Sequence, residues 1–562
     1  MSDELKHECG VALVRLLKPA AHYREKYGNS DWGGTKLSLL LEKQHNRGQD
    51  GAGAAALRLS PPPGEAAYGV WRSASQSPLA DILGQIAKRP ARGGEQIFLG
   101  HLRYATFGKG DVSCCHPFVH KSSCLARTLL LAGNFNLTNN RELFERYVAL
   151  GHHADSKADG YLITQTIAHY LGEALDNSGE PDFAAVLRSA LAGLDGAYLL
   201  TGTTGDGIAF AVRDPHGIRP GFYFQNAEVL AAASERPAIQ AAFDCAPEEV
   251  KEIPPGSAVA VSNGGDIAVM QILPPGEKRG CSFERIYFSR ANDGFIHRER
   301  KALGASLVPA VLREVGNDIE NTFFSYIPNS AQVAFHGLLE ELTKRGTVPR
   351  FGQIAVKDAK FRTFIADAAA RREFYKHVYD VTYGLIRPGV DTLVVLDDSI
   401  VRGNTMRNAI LPMLDRLGPR RIIVASSAPP IRYPDCYGID MSTLGELVAF
   451  RALVNLLKRN GAIELLENLE HLEHPEDLDP LAPLYARFTS EELSAEIARL
   501  LTPPGMRAEV KVIFQTTAAL RTACPNDTGD WYFTGYYPTP GGYDVLARAI
   551  KNYLEKRDER SY

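Results

Sequence analysis

Hydrophobic and polar positions divide the chain into two halves with different periodicities. In the first half, short apolar runs alternate with turn residues, a pattern that is typical of β-strands. Strands are predicted at residues 10–14, 96–101, 128–132, 197–201 and 207–212. Residues 253–272, with a Pro254-Pro255-Gly256 turn, indicate the closing strands of this unit. Pro274-Pro275-Gly276 then marks a boundary near residues 274–285.

The second half carries the order strand, loop, helix, strand. The apolar run 392–396 precedes a glycine-containing loop, a helical pattern follows at 406–417, and another apolar run covers 421–426. This order predicts a βαβ unit, which belongs to a parallel sheet.

Local chemistry predicts three further segments. Thr443 followed by Glu446 resembles a capping box that opens a helix over 444–459. The acidic, proline-broken stretch 467–480 is predicted to be a surface loop. Residues 543–555 have the pattern of a closing amphipathic helix.

Composition narrows the class of protein. The 562 residues suggest roughly two to four domains, and 45% hydrophobic with 23% charged residues is an ordinary globular balance. The net charge of −4 gives no electrostatic case for nucleic acid or an acidic membrane surface. No apolar run comes near the length of about 18 residues that a membrane-spanning helix needs. Residues 1–8 lack the apolar core of a signal peptide, so we expect a cytoplasmic protein.

The eight cysteines include no C-x-x-C pair. A chain of this size does not depend on a disulfide framework, so all but Cys9 are interpreted as reduced, mostly buried thiols. The Cys114-Cys115-His116 run with Cys124 lacks the spacing of tetrahedral zinc ligands. His471 and His474 lie among acidic residues and proline. Both groups are interpreted as loops rather than metal sites.

The most informative segment runs from Val394 to Thr405. Two carboxylates, Asp397 and Asp398, follow an apolar strand, at the position where α/β sheets bind ligands. The loop after them offers backbone N–H groups, a glycine, hydroxyl groups and a helix N-terminus, which together make an anion site. The alternative is an ordinary strand-to-helix turn in which the two aspartates only start the helix.

This segment resembles the phosphoribosylpyrophosphate signature of type I phosphoribosyltransferases. Together with Tyr433-Pro434 and the later Tyr437-Gly438-Ile439-Asp440, it is similar to the amidophosphoribosyltransferase family. The phosphoribosylpyrophosphate-binding residues that the resemblance implies are Asp397, Asp398, Ser399, Val401, Arg402, Gly403, Asn404 and Thr405. Asn404 stands where the family has Thr.

Two other pieces of the second half match the same family. Arg362-Thr363-Phe364-Ile365 resembles the start of the loop that folds over the substrate, which implies a further contact from Arg362. Ile327-Pro328-Asn329-Ser330 resembles the pyrophosphate-side loop, although Asn329 replaces an acidic residue. By this resemblance, Mg²⁺ is the cofactor, and the implied metal ligands are Ser330, Asp397 and Asp398.

Cys9 stands directly before the first predicted strand. A thiolate, not a thiol, attacks a carbonyl carbon, so a catalytic cysteine needs a base or a lowered pKa. A cysteine at a mature N-terminus can use its own α-amine as that base. From the residues alone, a buried structural thiol is the more common alternative.

The surrounding sequence resembles an N-terminal-nucleophile glutaminase. Glu8-Cys9-Gly10-Val11 resembles the point at which a short propeptide, here residues 1–8, is removed. The later matching segments are residues 44–53, 100–106, 133–139 and 213–220. The implied nucleophile is Cys9, with Asn134 and Phe135 forming the oxyanion hole. The implied glutamine-binding residues are Arg103, Tyr104 and Asp159.

Three positions depart from the glutaminase pattern. Asn46 interrupts the family's H-R-G-Q run, Tyr161 replaces a Glu, and Phe135 stands where the family usually has Gly. A backbone N–H survives at Phe135, but a left-handed backbone there would be strained.

Some members of the family carry an iron–sulfur cluster bound by four cysteines. Here Asp435 follows Pro434 where that pattern has Cys, and Gly529 and Tyr532 occupy the C-x-x-C positions. We therefore expect no iron–sulfur cluster.

We expect an α/β and α+β chain with two domains. A four-layer αββα glutaminase domain of the N-terminal-nucleophile type is expected at residues 9–280, after the propeptide. A Rossmann-like type I phosphoribosyltransferase domain is expected at 281–562. The expected enzyme, a homo-oligomer, transfers ammonia from glutamine to phosphoribosylpyrophosphate in the first step of purine nucleotide synthesis. The alternatives are a paralogous amidotransferase with another phosphoribosyl substrate, and a catalytically silent regulatory homologue.

Overall fold

The computed structural model describes residues 8–88, 94–105, 108–178, 181–316, 318–357, 379–471, 479–526, 529–557 and 559–561. These residues form two compact units. The first unit comprises residues 8–281 and 436–440, and the second comprises 282–435 and 441–561. No helix in these ranges has both the length and the apolar character needed to span a membrane.

The first unit is built on two antiparallel sheets. Its strands are β1 (Gly10–Leu16), β2 (Gly51–Arg58), β3 (Tyr68–Ser73), β4 (Glu95–Arg103), β5 (Phe118–His120), β6 (Leu129–Leu137), β7 (Gly196–Thr204), β8 (Ala209–Arg213), β9 (Phe222–Gln225), β10 (Val229–Ala233), β11 (Lys251–Glu252), β12 (Ser257–Val261) and β13 (Ile267–Gln271). One sheet has the order β11-β9-β10-β1-β4-β2-β3, and the other has the order β13-β12-β8-β7-β6-β5.

The helices of the first unit are Ala20–Tyr27, Trp32–Lys43, Pro78–Ala87, Asn140–Ala149, Asp159–Ser178, Phe183–Leu191 and Arg236–Phe243. Side chains on β1 alternate between two cores, as the two-residue period of a strand requires. Val11 and Leu13 pack with residues of the second sheet, such as Leu130. Ala12 and Val14 pack with helical residues instead. Because β1 is buried on both faces, the residue that precedes it is held at the end of a rigid central strand.

The second unit contains a five-stranded parallel sheet of order β15-β14-β18-β19-β20, beside a small antiparallel pair, β16-β17. These strands are β14 (Thr322–Tyr326), β15 (Arg350–Phe351), β16 (Ala355–Lys357), β17 (Tyr379–Val381), β18 (Thr392–Asp397), β19 (Arg421–Ser426) and β20 (Glu509–Phe514). Its helices are Gly294–Val315, Gln332–Lys344, Leu411–Asp415, Val448–Arg459, Glu464–Glu467, Ala482–Tyr485, Ser490–Leu501, Thr517–Ala523, Trp531–Thr534 and Pro540–Leu554. In chain order this is a 2-1-3-4-5 sheet, so the strand order reverses between β14 and β18. Ligands of such sheets bind at that reversal, outside the carboxyl ends of the strands.

An ion-pair cluster fixes the amino end of β18. Asp391 is fully buried, and its carboxylate accepts hydrogen bonds from the Arg350 guanidinium at 2.8 and 3.1 Å. It also accepts from Arg387 Nε at 2.9 Å and from the Arg387 backbone N–H at 2.8 Å. Burial opposes ionisation, but these donors outweigh it and lower the pKa of Asp391 to about 2. The cluster ties β18 to β15, the edge strand that carries Arg350.

Most predicted strands are confirmed, with small shifts at their ends. β19 begins and ends where the apolar run does, and β18 extends one residue beyond it, to Asp397. The predicted helix over 406–417 is interrupted, because Met406–Ile410 forms a wider π-helical turn before the α-helix Leu411–Asp415. Pro412 lies in the first turn of that α-helix, where its missing N–H is tolerated.

The predicted capping box is wrong. Thr443 makes no capping hydrogen bond, a 3₁₀ turn replaces the first helical turn, and the α-helix begins only at Val448. The side chain of Glu446 bonds an arginine elsewhere in the unit. The true capping box joins Thr489 and Glu492 at the start of another helix.

The two C-terminal predictions have different outcomes. The helix predicted at 543–555 is confirmed as Pro540–Leu554. In the loop predicted at 467–480, Glu467 is instead the last residue of the helix Glu464–Glu467, and a 3₁₀ turn follows at Asn468–His471. Residues 472–478 lie outside the described ranges.

Candidate active site

Cys9 directly precedes β1 of the seven-stranded sheet and is half-buried. Gly10 pairs with Leu102, so Cys9 lies beside the end of β4. Its Sγ accepts a hydrogen bond from the Tyr104 backbone N–H at 3.3 Å and lies 3.6 Å from the Tyr104 carbonyl oxygen. Burial raises the pKa of Cys9 to about 11, although the Tyr104 backbone and the charge of Arg103 act in the opposite direction. In the uncleaved chain the thiol is therefore neutral at physiological pH.

Asn46, which interrupts a family pattern, has a defined partner. Its Nδ2 donates to Glu235 Oε1 at 2.9 Å, and Arg47 Nε donates to the same oxygen at 2.9 Å. Arg47 also reaches the carbonyl oxygen of Cys9 with Nη1, at 3.4 Å. The asparagine therefore supports the segment that holds the backbone of Cys9.

Phe135 lies in β6 with an extended backbone. The only described non-glycine residues with a positive φ are Asp244 and Lys556, so the left-handed strain considered for Phe135 does not arise. Phe135 lies opposite Tyr198, whose backbone N–H and carbonyl both bond to Asp214, on the far side of β7. In an antiparallel pair this directs the N–H of Phe135 away from β7. A backbone donor is thus available where the resemblance places the oxyanion hole.

Asn134 projects from the opposite face of β6. Strand alternation places its side chain on the same face as Leu130, which belongs to the core between the two sheets. That face points toward the sheet that contains β1. Asn134 is buried, so any hydrogen bond that its amide makes is shielded from water.

Two buried histidines, whose role the sequence did not indicate, form hydrogen bonds with the backbone of β6. His101 Nε2 donates to the Gly133 carbonyl oxygen at 3.0 Å, and the Gly133 N–H donates to His116 Nδ1 at 3.1 Å. The two rings stack with centroids 4.0 Å apart. Burial lowers the pKa of His101 to about 3, and burial is also the main reason that the pKa of His116 lies well below its usual range. Both rings are therefore neutral and position the strand two residues before Phe135.

Arg103 and Asp159 bring opposite charges toward Cys9. Both influence the Cys9 pKa, Arg103 by lowering it and Asp159 by raising it. Arg103 Nη1 donates to the Gly108 carbonyl oxygen at 3.1 Å. Burial raises the pKa of Asp159, while its hydrogen bond from the Gly160 N–H, at 2.8 Å, opposes this. The structure thus places Cys9, the predicted nucleophile, within electrostatic reach of both charged groups that the resemblance assigns to glutamine binding.

The predicted carboxylates of the second unit lie at the reversal of strand order. Asp397 ends β18, and Ser330 follows β14. Ser330 Oγ donates to Asp398 Oδ2, and Ser399 Oγ donates to Asp398 Oδ1 at 2.9 Å. Burial raises the pKa of Asp398, and the hydrogen bonds from Ser330 and Ser399 oppose that shift. Ser330 and the two aspartates, far apart in sequence, therefore meet at one sheet edge.

The loop after Asp398 is shaped by Gly403, whose φ is +79°. A Cβ at this position would overlap Leu501, so only glycine fits without rearrangement. Arg402 Nε donates to Glu446 Oε2 at 2.7 Å, and Arg451 Nη2 donates to the Arg402 carbonyl oxygen at 2.6 Å. Glu446, assigned by the sequence to a helix cap, in fact fixes the side chain of a predicted substrate-binding residue.

The remaining residues that the resemblance assigns to phosphoribosylpyrophosphate are Val401, Asn404, Thr405 and Arg362. The Val401 carbonyl accepts from the Val448 N–H at 2.9 Å. Asn404 and Thr405 directly precede the turn Met406–Ile410. Arg362 lies outside the described residues.

The fold and both sites are typical of an enzyme that joins a glutamine amidotransferase to a phosphoribosyltransferase. Similar chains named amidophosphoribosyltransferase occur in Bacillus subtilis (30% identical over 419 residues, 73% of this chain and 79% of the relative) and in Methanocaldococcus jannaschii (30% over 376 residues, 63% and 74%). Another, from Pseudomonas aeruginosa, is 31% identical over 368 residues, 63% of this chain and 70% of that one. The chain belongs to the amidophosphoribosyltransferase family.

Solved structures show the same fold. Glutamine phosphoribosylpyrophosphate amidotransferase from B. subtilis, complexed with ADP and GMP, gives a TM-score of 0.67 at 23% identity, covering 94% of this chain and 97% of that one. A structure described as the allosteric regulatory enzyme of purine biosynthesis gives a TM-score of 0.68 at 24% identity, covering 94% and 96%. No model of a protein family matches the chain. These comparisons confirm a two-domain α/β protein.

Proposed function

We propose that this chain transfers ammonia from glutamine to phosphoribosylpyrophosphate, giving 5-phosphoribosylamine, glutamate and pyrophosphate. Its membership of the amidophosphoribosyltransferase family carries the proposal. The two candidate sites support it independently, because each occupies the position in its own sheet where the corresponding chemistry is expected. Neither a glutaminase alone nor a phosphoribosyltransferase alone accounts for both.

The glutaminase domain is proposed to comprise residues 9–280, which lie in the first unit, after loss of residues 1–8. Three cores among its described residues support an αββα arrangement, with one core between the sheets and one between each sheet and its helices. The freed α-amine of Cys9 takes the thiol proton, and Sγ attacks the amide carbon of glutamine. Asn134 Nδ2 and the Phe135 N–H stabilise the oxyanion. Ammonia leaves, and water hydrolyses the thioester to glutamate.

Recognition of glutamine follows from the charges around Cys9. The Arg103 guanidinium suits the α-carboxylate, because its fork can donate two parallel hydrogen bonds. Asp159 suits the α-ammonium, and an arriving cation would lower a carboxyl pKa that burial has raised. Tyr104 contributes its backbone, which already contacts Sγ.

The phosphoribosyltransferase domain is proposed to comprise residues 281–562, most of which lie in the second unit. Asp397 and Asp398 bind the ribose hydroxyls, and the loop from Ser399 to Thr405 binds the 5′-phosphate with its backbone N–H groups. Arg362 is proposed to cover the pyrophosphate. Ammonia from the first unit then displaces pyrophosphate at the anomeric carbon.

Mg²⁺ fits the donors at this site. In the described part of the chain, no three His, Cys, Asp or Glu side chains cluster as a preformed metal site. Mg²⁺ commonly takes only one or two carboxylates and completes its shell with water and substrate oxygens. Asp397, Asp398 and Ser330 would hold it, and the bound cation would neutralise charge that develops on pyrophosphate.

We also propose a cytoplasmic homo-oligomer. No disulfide joins any of the eight cysteines, all of which lie in the described residues, as expected in a reducing compartment.

The deciding experiment supplies glutamine, phosphoribosylpyrophosphate and Mg²⁺ and measures the steady-state release of glutamate and pyrophosphate. Equal rates of release are expected. Glutamate release without pyrophosphate would indicate a paralogue with another phosphoribosyl substrate. Release of neither product by correctly processed protein would indicate a silent homologue.

Processing is tested on the same preparation by intact mass. Active protein is expected to begin at Cys9, because the proposed base exists only after residues 1–8 are removed. Full glutamine-dependent activity from protein that retains Met1–Glu8 would refute the N-terminal-nucleophile mechanism.

A further inference from the structure

The side chain of Glu8, the residue before the proposed cleavage point, lies at the amide of Asn134. Asn134 Nδ2 donates to Glu8 Oε2 at 3.4 Å, and Arg219 Nη1 forms an ion pair with the same oxygen. Glu8 and Arg219 are only 2% and 1% exposed. One anionic oxygen, shielded from water, is therefore held jointly by an amide and a guanidinium.

The surroundings of Arg219 are set by other parts of the first unit. Its backbone N–H donates to Asp214 Oδ2 at 3.2 Å, and its carbonyl accepts from Arg213 Nε at 2.6 Å. Gly438 lies against the guanidinium, and a Cβ there would overlap Nη2. The absence of a side chain at Gly438 thus makes room for Arg219. None of these contacts depends on Glu8, so the position of Arg219 is expected to outlast its removal.

Glu8 has the chemistry of the proposed product. Its side chain ends in the same γ-carboxylate that hydrolysis of glutamine produces, and that carboxylate occupies the oxygen position beside Asn134. The scissile carbonyl of Glu8 is itself fixed, because it accepts a hydrogen bond from the Gly48 N–H at 2.8 Å. When cleavage removes Glu8, Arg219 keeps a buried charge that faces an empty oxygen position, which favours a new anion there.

We propose that Arg219 is a third oxyanion-binding group of the glutaminase, and that Glu8 blocks this position until the chain is cleaved. The inference rests on the glutaminase function proposed above. As the C–S bond forms, the electron pair of the carbonyl moves to oxygen, and Asn134, Phe135 and Arg219 share the resulting charge. When the tetrahedral intermediate collapses, that pair re-forms the carbonyl and the C–N bond breaks. Ammonia departs with the proton that the α-amine had taken from the thiol. A fixed guanidinium in a dry site stabilises such a charge far more than it would in water.

The first test changes Arg219 in chain that begins at Cys9. Arg219→Gln removes the charge, and Arg219→Lys keeps it in a different shape. With glutamine, kcat is expected to fall about 100-fold for Arg219→Gln, with KM changed less than threefold, and Arg219→Lys is expected to recover part of the loss. A kcat within threefold of the parent would overturn the inference. Absence of glutamine hydrolysis by the parent itself would instead refute the proposed function.

A matched control separates catalysis from burial. Arg15 is also buried, at 2% exposed, but its Nη1 bonds the Leu16 carbonyl in β1, several residues beyond Cys9. Arg15→Gln therefore removes a buried guanidinium of the same unit without touching the oxyanion position. It is expected to lower thermal stability while leaving kcat with glutamine near the parent value. An equal fall in kcat for Arg15→Gln and Arg219→Gln would overturn the inference.

A binding test decides the outcome if Arg219→Gln does not fold. Uncleaved Cys9→Ala protein is compared with Cys9→Ala protein that lacks residues 1–8. Calorimetry with glutamate is expected to show binding only to the shortened protein. Adding Glu8→Ala to the uncleaved Cys9→Ala chain is expected to restore binding at least in part. Equal glutamate affinity of the uncleaved and shortened proteins would show that Glu8 does not occupy the site.

Discussion

The raised pKa of Cys9 predicts that cleavage of the chain changes the reactivity of its thiol by orders of magnitude. With a pKa of about 11, the uncleaved chain holds about one thiolate per 3,000 molecules at pH 7.5. A cysteine with the reference pKa of about 8.5 holds about one thiolate in ten. Because alkylation requires the thiolate, Cys9 of the uncleaved chain is expected to react about 300-fold more slowly than such a thiol.

Iodoacetamide alkylation followed by peptide mass spectrometry measures this rate residue by residue. Protein that retains Met1–Glu8 by intact mass is compared with protein that begins at Cys9. The exposed Cys124 serves as an internal reference in both samples. In the uncleaved chain, the Cys9 rate is expected to rise about tenfold per pH unit between pH 7 and 10, since each unit multiplies the thiolate fraction by ten below the pKa. In the processed chain the rise should begin near neutral pH, where the α-amine titrates.

If Cys9 of the uncleaved chain reacts as fast as Cys124 at pH 7.5, the folded surroundings of Cys9 do not suppress its thiolate, and the prediction is wrong. Unfolding both proteins in guanidinium chloride supplies the control, because Cys9 and Cys124 should then react at similar rates.

Three further predictions address the two units separately. Cys9→Ala should abolish activity with glutamine but keep activity with a high concentration of ammonium, and equal loss of both would indicate a structural cysteine. Asp397→Asn with Asp398→Asn should leave Cys9 reactive toward a glutamine-like electrophile. The same double change should lower phosphoribosyl transfer by roughly tenfold to a hundredfold for each lost charge-assisted hydrogen bond, about 1.5–3 kcal/mol. Parent-like turnover would show that the pair only starts a helix. Asp391→Asn should lower the free energy of unfolding at pH 7 by about 2 kcal/mol, discounted because both arginine partners are partly exposed. Since the folded pKa of Asp391 lies at about 2, its stabilisation is complete above the unfolded value of about 4 and is lost as pH falls toward 2. The difference between variant and parent in urea unfolding should therefore shrink in acid, and a constant difference would contradict the ion-pair argument.

Local sequence patterns predicted the elements that are defined by residues close together in the chain. The strand at 421–426 could be placed because a strand of a parallel sheet is buried on both faces and therefore reads as a continuous apolar run. The anion loop could be placed because two carboxylates, a glycine and hydroxyl groups lie within nine residues, from Asp397 to Thr405. Cys9 needed the family resemblance, since one cysteine before a strand carries no chemistry by itself.

Local patterns failed where two residues far apart in the chain satisfied each other. The pairing of Thr443 with Glu446 is a sound helix start by sequence, but Arg402, 44 positions before Glu446, takes its carboxylate. Leaving the buried Arg402 guanidinium uncompensated would cost more free energy than losing a helix cap, because water can take the place of the cap. His101, on β4 of the other sheet, and His116, just before β5, similarly both bond to Gly133 of β6, and no spacing rule relates them to that glycine.

The order of residues along the chain defines which chemical groups are present and which strands and loops carry them. The tertiary structure decided which of these groups share one site. Glu8, Asn134 and Arg219 meet at a single oxygen although Glu8 and Arg219 lie 211 positions apart in the chain. The physical reason is that periodicity reports which face of an element is buried, whereas the register between elements selects the residue it is buried against.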